Sequence, residues 1–411
     1  MKIAFFTDTY YPQLNGVTIS VDNFATELRK RGHTVYIFAP KIKNKKTAEQ
    51  DLTHLTTIKL LSAESPVYIP MPNSYKEYSK LFRLDFDLVH AHGNGIFSLL
   101  GYQVARMKGV PYILTFHTLL TKYTHYFLKG RVIKPRVMEA YMRVFANLCD
   151  GIITPSEKMR KELIRYGVKK PINVIPNFIE KDDFLKVQKN YLHKKLKLSN
   201  DTPLLLSVGR LGKEKNFEFI LDVFEELSMT DKNSHLVIVG HGTDSRKLKN
   251  YANHLDIARR VHFTGKINKK YMPSVYADAT LFVFASVSEV HPLVTLEACA
   301  AGLPLVVAKD DAFTHVVVDK KNGYLLPLQK KQFAQKIHLL LNDTQLRKSM
   351  GNYSLQIVEK NFPPEKLTDM LLDIYNKVMA VKPKERTLYS INKAALLRLR
   401  RTTQLLDRFF S

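Results

Sequence analysis

The chain has 411 residues, 45% apolar and 25% charged, enough for two ordinary domains and too apolar for a disordered or fibrous protein. Lys and Arg number 63 against 38 Asp and Glu, a net charge of +25. That excess predicts attraction to polyanions, whether nucleic acid or an acidic membrane surface, and is silent on fold. The two cysteines, Cys149 and Cys299, supply no disulfide framework and suit a reducing compartment. No apolar run approaches the ~18 residues of a membrane-spanning helix, and the apolar start is too short for a signal peptide. The expectation is a cytoplasmic protein whose membrane contact is peripheral.

In chain order, residues 3–6 read as a short buried strand followed by a polar loop with Pro12, Asn15 and Gly16. Val17, Val21, Phe24, Ala25 and Leu28 then recur on one face of a helix, and Gly32 is the expected stop. Strands are predicted at 34–38, 88–91, 112–116, 151–154 and 173–175, with helical stretches between most of them. A polar stretch at 181–203 is suited to a linker. The pattern restarts with a strand at 204–208, a helical face of Phe217, Ile220, Leu221, Phe224 and Leu227, and strands at 235–239, 261–263, 281–284 and 305–307. Short continuous apolar strands alternating with helices imply parallel sheets covered on both faces. The division is into an α/β domain at 1–180, a second at 181–364, and helices at 365–411, with a cleft between the two doubly wound domains. Ligands then belong beyond the carboxyl ends of the strands.

Three strand-end loops carry candidate chemistry. In the segment from Ser288 to Pro304, Glu289 follows a strand, Pro292 is placed in the first turn of a helix, and Glu297 lies within that helix. Two carboxylates straddling a helix start can share a crevice and accept hydrogen bonds from sugar and ribose hydroxyls, while the free N–H groups take an anion. First-turn acids that merely complement the helix dipole, at about 0.3–1 kcal/mol each, are an equal alternative from spacing alone. Arg210 and Lys215, after the strand at 204–208, can converge on a diphosphate, one as a planar fork and one as a point charge; ordinary surface cations are the competing account. Gly16 opens the first helix and lets a ligand approach its backbone. Gly240-His241-Gly242 has a similar place. Neither is a G-x-G-x-x-G, which argues against a dinucleotide cofactor, and no cofactor is expected. His117 ends a strand. With His90, His92 and His125 it raises the question of a metal site, but the spacing fits no zinc pattern and no Asp-x-Asp stands in a strand-end loop, so no metal is expected.

Taken together, Glu289 and Glu297, the Gly209-Arg210-Leu211 to Lys215 segment, Pro176-Asn177 and Ala301-Gly302-Leu303-Pro304 occur in an order that resembles the family-4 retaining glycosyltransferases of GT-B fold, from Met1 to about residue 380. Within that family the stretch from Thr115 to Tyr126 and the region Asp310 to Phe313 look most like bacterial 1,2-diacylglycerol glucosyltransferases. The resemblance implies that Glu289 contacts the donor sugar and Glu297 the ribose. It also implies that Arg210 and Lys215 hold the diphosphate with backbone at Gly16, Leu293 and Val294, that Lys266 and Ile267 flank the nucleobase, and that His117 lies by the transferred sugar. The implied donor is a nucleotide sugar, UDP-glucose, and the implied acceptor diacylglycerol. GDP-mannose with another acceptor, or a sugar-nucleotide epimerase of the same fold, stand as alternatives. His291-Pro292 departs from the family pattern, in which glycine is usual, and removes one N–H.

A lipid acceptor would give the charge a role. Residues 382–411 carry eight Lys or Arg, among them Arg398, Arg400 and Arg401, against two acids, and interleave them with Leu and Phe as a basic amphipathic helix. Lys41, Lys43, Lys45 and Lys46 fall in one loop, and residues 66–83 mix Tyr, Leu and Phe with Lys. These segments are expected to face an anionic bilayer; plain solvation of the cations is the alternative. A nucleic-acid-binding protein would also fit the charge, but no recognised binding module is present, and no nucleic-acid partner is expected.

Overall fold

A computed structural model describes residues 1–41, 52–60, 67–70, 81, 83–119, 121, 135–184 and 187–381. Lys43, Lys45, Lys46, His125 and the whole of 382–411, with Arg398, Arg400 and Arg401, lie outside the described residues.

The strands are β1 (Lys2–Thr7), β2 (Thr34–Pro40), β3 (Leu52–Leu55), β4 (Thr57–Leu60), β5 (Val67–Pro70), β6 (Leu88–His92), β7 (Tyr112–Thr115), β8 (Gly151–Thr154), β9 (Ile172–Val174), β10 (Leu204–Val208), β11 (His235–Val239), β12 (Val261–Gly265), β13 (Leu281–Phe284), β14 (Leu305–Ala308) and β15 (Gly323–Leu326). They form a seven-stranded sheet in the order β3-β2-β1-β6-β7-β8-β9, a six-stranded sheet in the order β12-β11-β10-β13-β14-β15, and a β4-β5 pair. Both large sheets are parallel throughout, with β1 in register against β2 and β6 and β10 against β11 and β13. The central strands are buried along nearly their whole length, as a sheet with helices on both faces requires.

The helix Gly16–Lys30 is capped by Asn15, whose side chain accepts from Thr18 N, and it buries Val21, Phe24, Ala25 and Leu28, the face expected from the spacing. The helix Phe217–Ser228 likewise buries all five of its expected residues. Strand order reverses between β1 and β6 in the first sheet and between β10 and β13 in the second. These two switch points are where an α/β sheet opens a crevice for ligands.

The polar stretch at 181–203 is not a free linker. It contains the helix Tyr191–Leu196 and is docked on the second unit: Asp278 accepts from Asn190 N at 2.9 Å and Leu192 N at 2.6 Å, and Ser274 Oγ from Gln188 N at 2.8 Å.

The last described helix, Pro364–Ala380, returns to the first sheet. Arg31 pairs with Asp369 and donates to Glu365 O at 2.6 Å, and Tyr375 Oη meets His90 Nδ1 at 2.7 Å. One apolar cluster accordingly contains Phe5 and Ile37 of the first sheet, Leu206 and Phe282 of the second, and Leu371 and Tyr375 of this helix.

Candidate active site

At the switch point of the second sheet, the loop after β10 is bound to the loop after β13. Ser286 Oγ and Ser288 Oγ both donate to Glu214 O, at 3.0 and 3.2 Å, and Asn216 Nδ2 donates to Ala285 O at 3.4 Å. This stitching brings Lys215 Nζ to 2.5 Å from Glu289 Oε1, although the residues are 74 positions apart. Glu289 is buried, and the Lys215 ammonium also lies 5.8 Å from the centroid of the Phe284 ring.

Arg210 takes a different partner. Its Nη2 meets Glu214 Oε1 at 2.7 Å, and the Glu214 side chain is only 2% exposed against 43% for Arg210. Glu214 was not among the residues singled out from the sequence. It holds Arg210 through its side chain and the facing loop through its backbone carbonyl.

Gly240 and Gly242 are explained by packing. A Cβ at Gly240 would stand 1.8 Å from Gly209 O, and one at Gly242 2.2 Å from Leu211 O. Only glycine lets these backbones approach, so the pair supports the Arg210 loop from behind.

The helix after Glu289 spans Leu293–Ala300, with Pro292 at its N-cap in extended conformation. This corrects the expectation of Pro292 inside the first turn. The proline's missing N–H falls outside the helix, and the first-turn donors are those of Leu293 and Val294. Glu297 accepts from Tyr276 Oη at 2.6 Å. Burial raises the Glu297 pKa, opposed by that hydrogen bond and by the positive charge of Lys269.

Gly16 faces this helix from the other sheet: a Cβ built on it would lie 3.9 Å from Leu293 Cδ1. Further ties cross between the two units. Lys269 Nζ is 3.2 Å from Tyr11 Oη and 3.7 Å from Asp22 Oδ2, Asn177 Nδ2 donates to His291 O at 3.4 Å, and Lys158 pairs with Asp310 at 2.5 Å. Lys266 and Ile267 follow β12, the first exposed and the second half-buried.

The first sheet contributes a different set of groups. His117 follows β7, and its chain neighbours Phe116 and Leu119 share an apolar cluster with Val290, the residue after Glu289. His117 Nε2 lies 3.2 Å from His92 Nδ1. Desolvation lowers the pKa of His117 to about 4 and of His90 to about 3. Asp8, beyond β1, accepts from Gly95 N at 3.1 Å and Phe97 N at 2.9 Å, capping the helix Ile96–Lys108. Burial carries its pKa up to about 6 against those backbone bonds. Asp8 was passed over in the sequence, and His92 was weighed there only as a metal ligand; the available signal was their position at the ends of β1 and β6, beside the chain reversal. Among the described residues no group of three or more His, Cys, Asp or Glu is placed to hold a metal ion. Lys41 is exposed at the end of β2, away from the switch-point loops in the chain.

Residues 14–183 match the model of Glycosyltransferase Family 4, and residues 188–356 that of Glycosyl transferases group 1. The chain is 33% identical over 337 residues to the alpha-monoglucosyldiacylglycerol synthase of Streptococcus pneumoniae, covering 79% of this chain and 75% of that protein. The chain belongs to the family-4 glycosyltransferases. A second alpha-monoglucosyldiacylglycerol synthase, from Acholeplasma laidlawii, is 28% identical over 358 residues, 83% of this chain and 89% of its own. The sucrose-phosphate synthase structure from Thermosynechococcus elongatus superposes with a TM-score of 0.76 at 20% identity, covering 93% of this chain and 100% of that one. Anabaena HepE in complex with UDP and glucose superposes at 0.74 and 18%, covering 92% and 99%. These likenesses show the GT-B fold of this glycosyltransferase.

Proposed function

We propose that this glycosyltransferase moves glucose from UDP-glucose to 1,2-diacylglycerol with retention of anomeric configuration. The observation that carries the reading is the contact of Lys215 with Glu289 at the second switch point. A cation suited to a diphosphate and a carboxylate suited to sugar hydroxyls there stand within one hydrogen bond. The choice of glucose and diacylglycerol is supported by the names of the two relatives, and that of UDP by the HepE complex.

In this reading Lys215 and Arg210 exchange their present carboxylate partners for the donor diphosphate, and Glu289 turns to the hexose hydroxyls. The N–H groups of Leu293 and Val294 and the backbone at Gly16 complete the anion site. Glu297 accepts from the ribose hydroxyls, and Lys266 and Ile267 flank the base. His117 lies by the transferred sugar. The bond from the anomeric carbon to the diphosphate breaks with its electron pair leaving on phosphate, where the two cations stabilise the growing charge. The acceptor hydroxyl bonds to the same face, and its proton passes to the departing phosphate oxygen.

The acceptor lies in a bilayer, and among the described residues no helix is long and apolar enough to cross one. Peripheral adsorption is therefore assigned to the basic segment 382–411, with a net charge of +6. Near anionic lipid each such cation contributes about 1 kcal/mol.

The test is a donor screen, UDP-glucose against UDP-galactose and GDP-mannose, with diacylglycerol in vesicles containing phosphatidylglycerol or in vesicles without diacylglycerol. Lipid-dependent transfer from UDP-glucose is expected. Preference for GDP-mannose overturns the donor, and equal turnover without diacylglycerol overturns the acceptor. Deleting 382–411 is expected to reduce vesicle adsorption and its salt dependence; unchanged adsorption removes the tail as anchor.

A further inference from the structure

Three histidines at the carboxyl ends of β6 and β7 form a packed array. His90 has both ring nitrogens occupied, Nδ1 with Tyr375 Oη and Nε2 with Thr115 Oγ1, each at 2.7 Å. Its ring lies 4.2 Å from that of His92, and Phe5 closes on His92 edge-on at 4.6 Å. His92 is therefore held between two fixed rings, 1% exposed. Its Nδ1 meets His117 Nε2 at 3.2 Å, and its Nε2 is buried with no hydrogen-bond partner among the described residues.

A neutral imidazole has one N–H and one lone pair. Burial lowers the pKa of all three rings and keeps them neutral, and the 3.2 Å contact between His92 and His117 is a hydrogen bond only when one of the two facing nitrogens carries the proton. A proton on His92 Nε2 would leave an N–H buried without an acceptor, the rarer kind of unsatisfied group. On Nδ1 it instead lies in the contact with His117, and the orphan is a buried lone pair.

We propose that His92 is a positioning residue: its Nδ1–H donates to His117 Nε2 and fixes His117 as the Nδ1–H tautomer, presenting a hydrogen-bond donor to an oxygen of the transferred sugar. This rests on the placement of His117 beside that sugar in the proposed function. The role differs from general-base chemistry: the second ring nitrogen of His117 is already committed, so the ring orients or polarises the sugar and takes no proton from the acceptor.

The test uses the full chain and the glucosyl-transfer assay with diacylglycerol vesicles. Leu and Asn are nearly isosteric, but only Asn carries an N–H donor where His92 Nδ1 stands. His92→Leu is expected to lower kcat about 30-fold with the donor KM within about twofold, the size expected when an oriented group drifts by a fraction of an ångström. His92→Asn is expected to recover to within about threefold of the parent. In a His117→Ala background, His92→Leu should cost less than about twofold more, because the two residues act as a unit. Equal activities of the Leu and Asn variants, or an undiminished loss in the His117→Ala background, overturn the proposal. Parental activity of His117→Ala overturns the placement of His117 itself, which separates the failure of that reading from the failure of this one. Should the Leu variant not fold, selective ¹⁵N-histidine labelling of the parent decides, with His117→Gln providing the assignment. An unprotonated His117 Nε2 is expected, and a protonated one overturns the tautomer.

Discussion

The two switch points are chemically opposite. In the second sheet the crevice is lined by ion pairs: Lys215 with Glu289, and Arg210 with Glu214. In the first sheet β6 and the loops after β1 and β7 carry groups that desolvation holds neutral near neutral pH or draws toward neutrality: His90, His92, His117 and a carboxyl, Asp8, whose pKa is about 6. A diphosphate needs fixed cations where its charge grows, and carboxylates can hold those cations in place until it arrives. A neutral acceptor hydroxyl is better served by hydrogen-bonding groups that carry no counterion. One fold, repeated, thus offers a charged half and a desolvated half to the same cleft.

The largest test of this division is on the charged half. Under the proposed function, Lys215→Ala removes one cation from the leaving diphosphate, and it strips buried Glu289 of its partner. A fall in kcat of about 10²–10³-fold is expected, the size of a lost preorganised electrostatic group, measured as UDP release at saturating donor. Arg210→Ala should fall in the same direction by less, because Arg210 is 43% exposed and works through more water. A Lys215→Ala enzyme within threefold of the parent would break the comparison at its centre.

Much of this arrangement is legible from the chain alone, for identifiable reasons. The central strands are buried on both faces and so appear as uninterrupted apolar runs, as in Leu204–Val208. The edge strand β3 does not: Leu52–Leu55 alternates buried with half-buried residues, and four residues give too short a period to recognise. Glu289, Glu297, Arg210 and Lys215 could be named because they follow such strands. Their pairing could not, since Lys215 meets Glu289 through hydroxyl bonds from Ser286 and Ser288 to a backbone carbonyl, which no spacing reveals. Glu214, Tyr276 and Asp8 went unnoticed, and His92 was considered only as a metal ligand, because each acts through a neighbour: Glu214 on Arg210, Tyr276 on Glu297, Asp8 on a helix end and His92 on His117.

The desolvated half is tested by stability against pH, where its two kinds of group act with opposite sign. A histidine whose folded pKa lies below the free value of 6.5 binds fewer protons folded than unfolded between the two values, so stability is lost as pH falls through that window. For His117 the window is about 4 to 6.5, worth up to about 3 kcal/mol. His117→Gln should reduce the acid loss in urea denaturation by up to that amount. Asp8 runs the other way. Its folded pKa of about 6 exceeds the ordinary aspartate value of 3.8, so its contribution is full below about pH 4 and is lost as pH rises to about 6. The stability of Asp8→Asn relative to the parent should therefore rise between pH 4 and 7, again by at most about 3 kcal/mol. Parallel pH profiles for parent and both variants would show that these groups are not desolvated in solution, and the contrast between the halves would reduce to charge count.

The smallest effect sharpens the border between binding and chemistry within the charged half. Glu297 is tied to Tyr276 rather than to a cation, which sets it apart from Glu289. Glu297→Gln keeps an oxygen for the Tyr276 hydroxyl, so the fold is undisturbed, but it exchanges a charged acceptor for a neutral one. If ribose hydroxyls donate to it, UDP affinity measured by calorimetry should weaken about tenfold, or about 1.4 kcal/mol, within the range for a hydrogen bond to a charged group. The kcat at saturating donor should stay within about twofold, because the ribose contact is the same in ground and transition states. The reverse outcome, intact UDP affinity with reduced turnover, would move Glu297 from the nucleotide to the reacting sugar. The charged half would then hold two carboxylates at the anomeric centre instead of one.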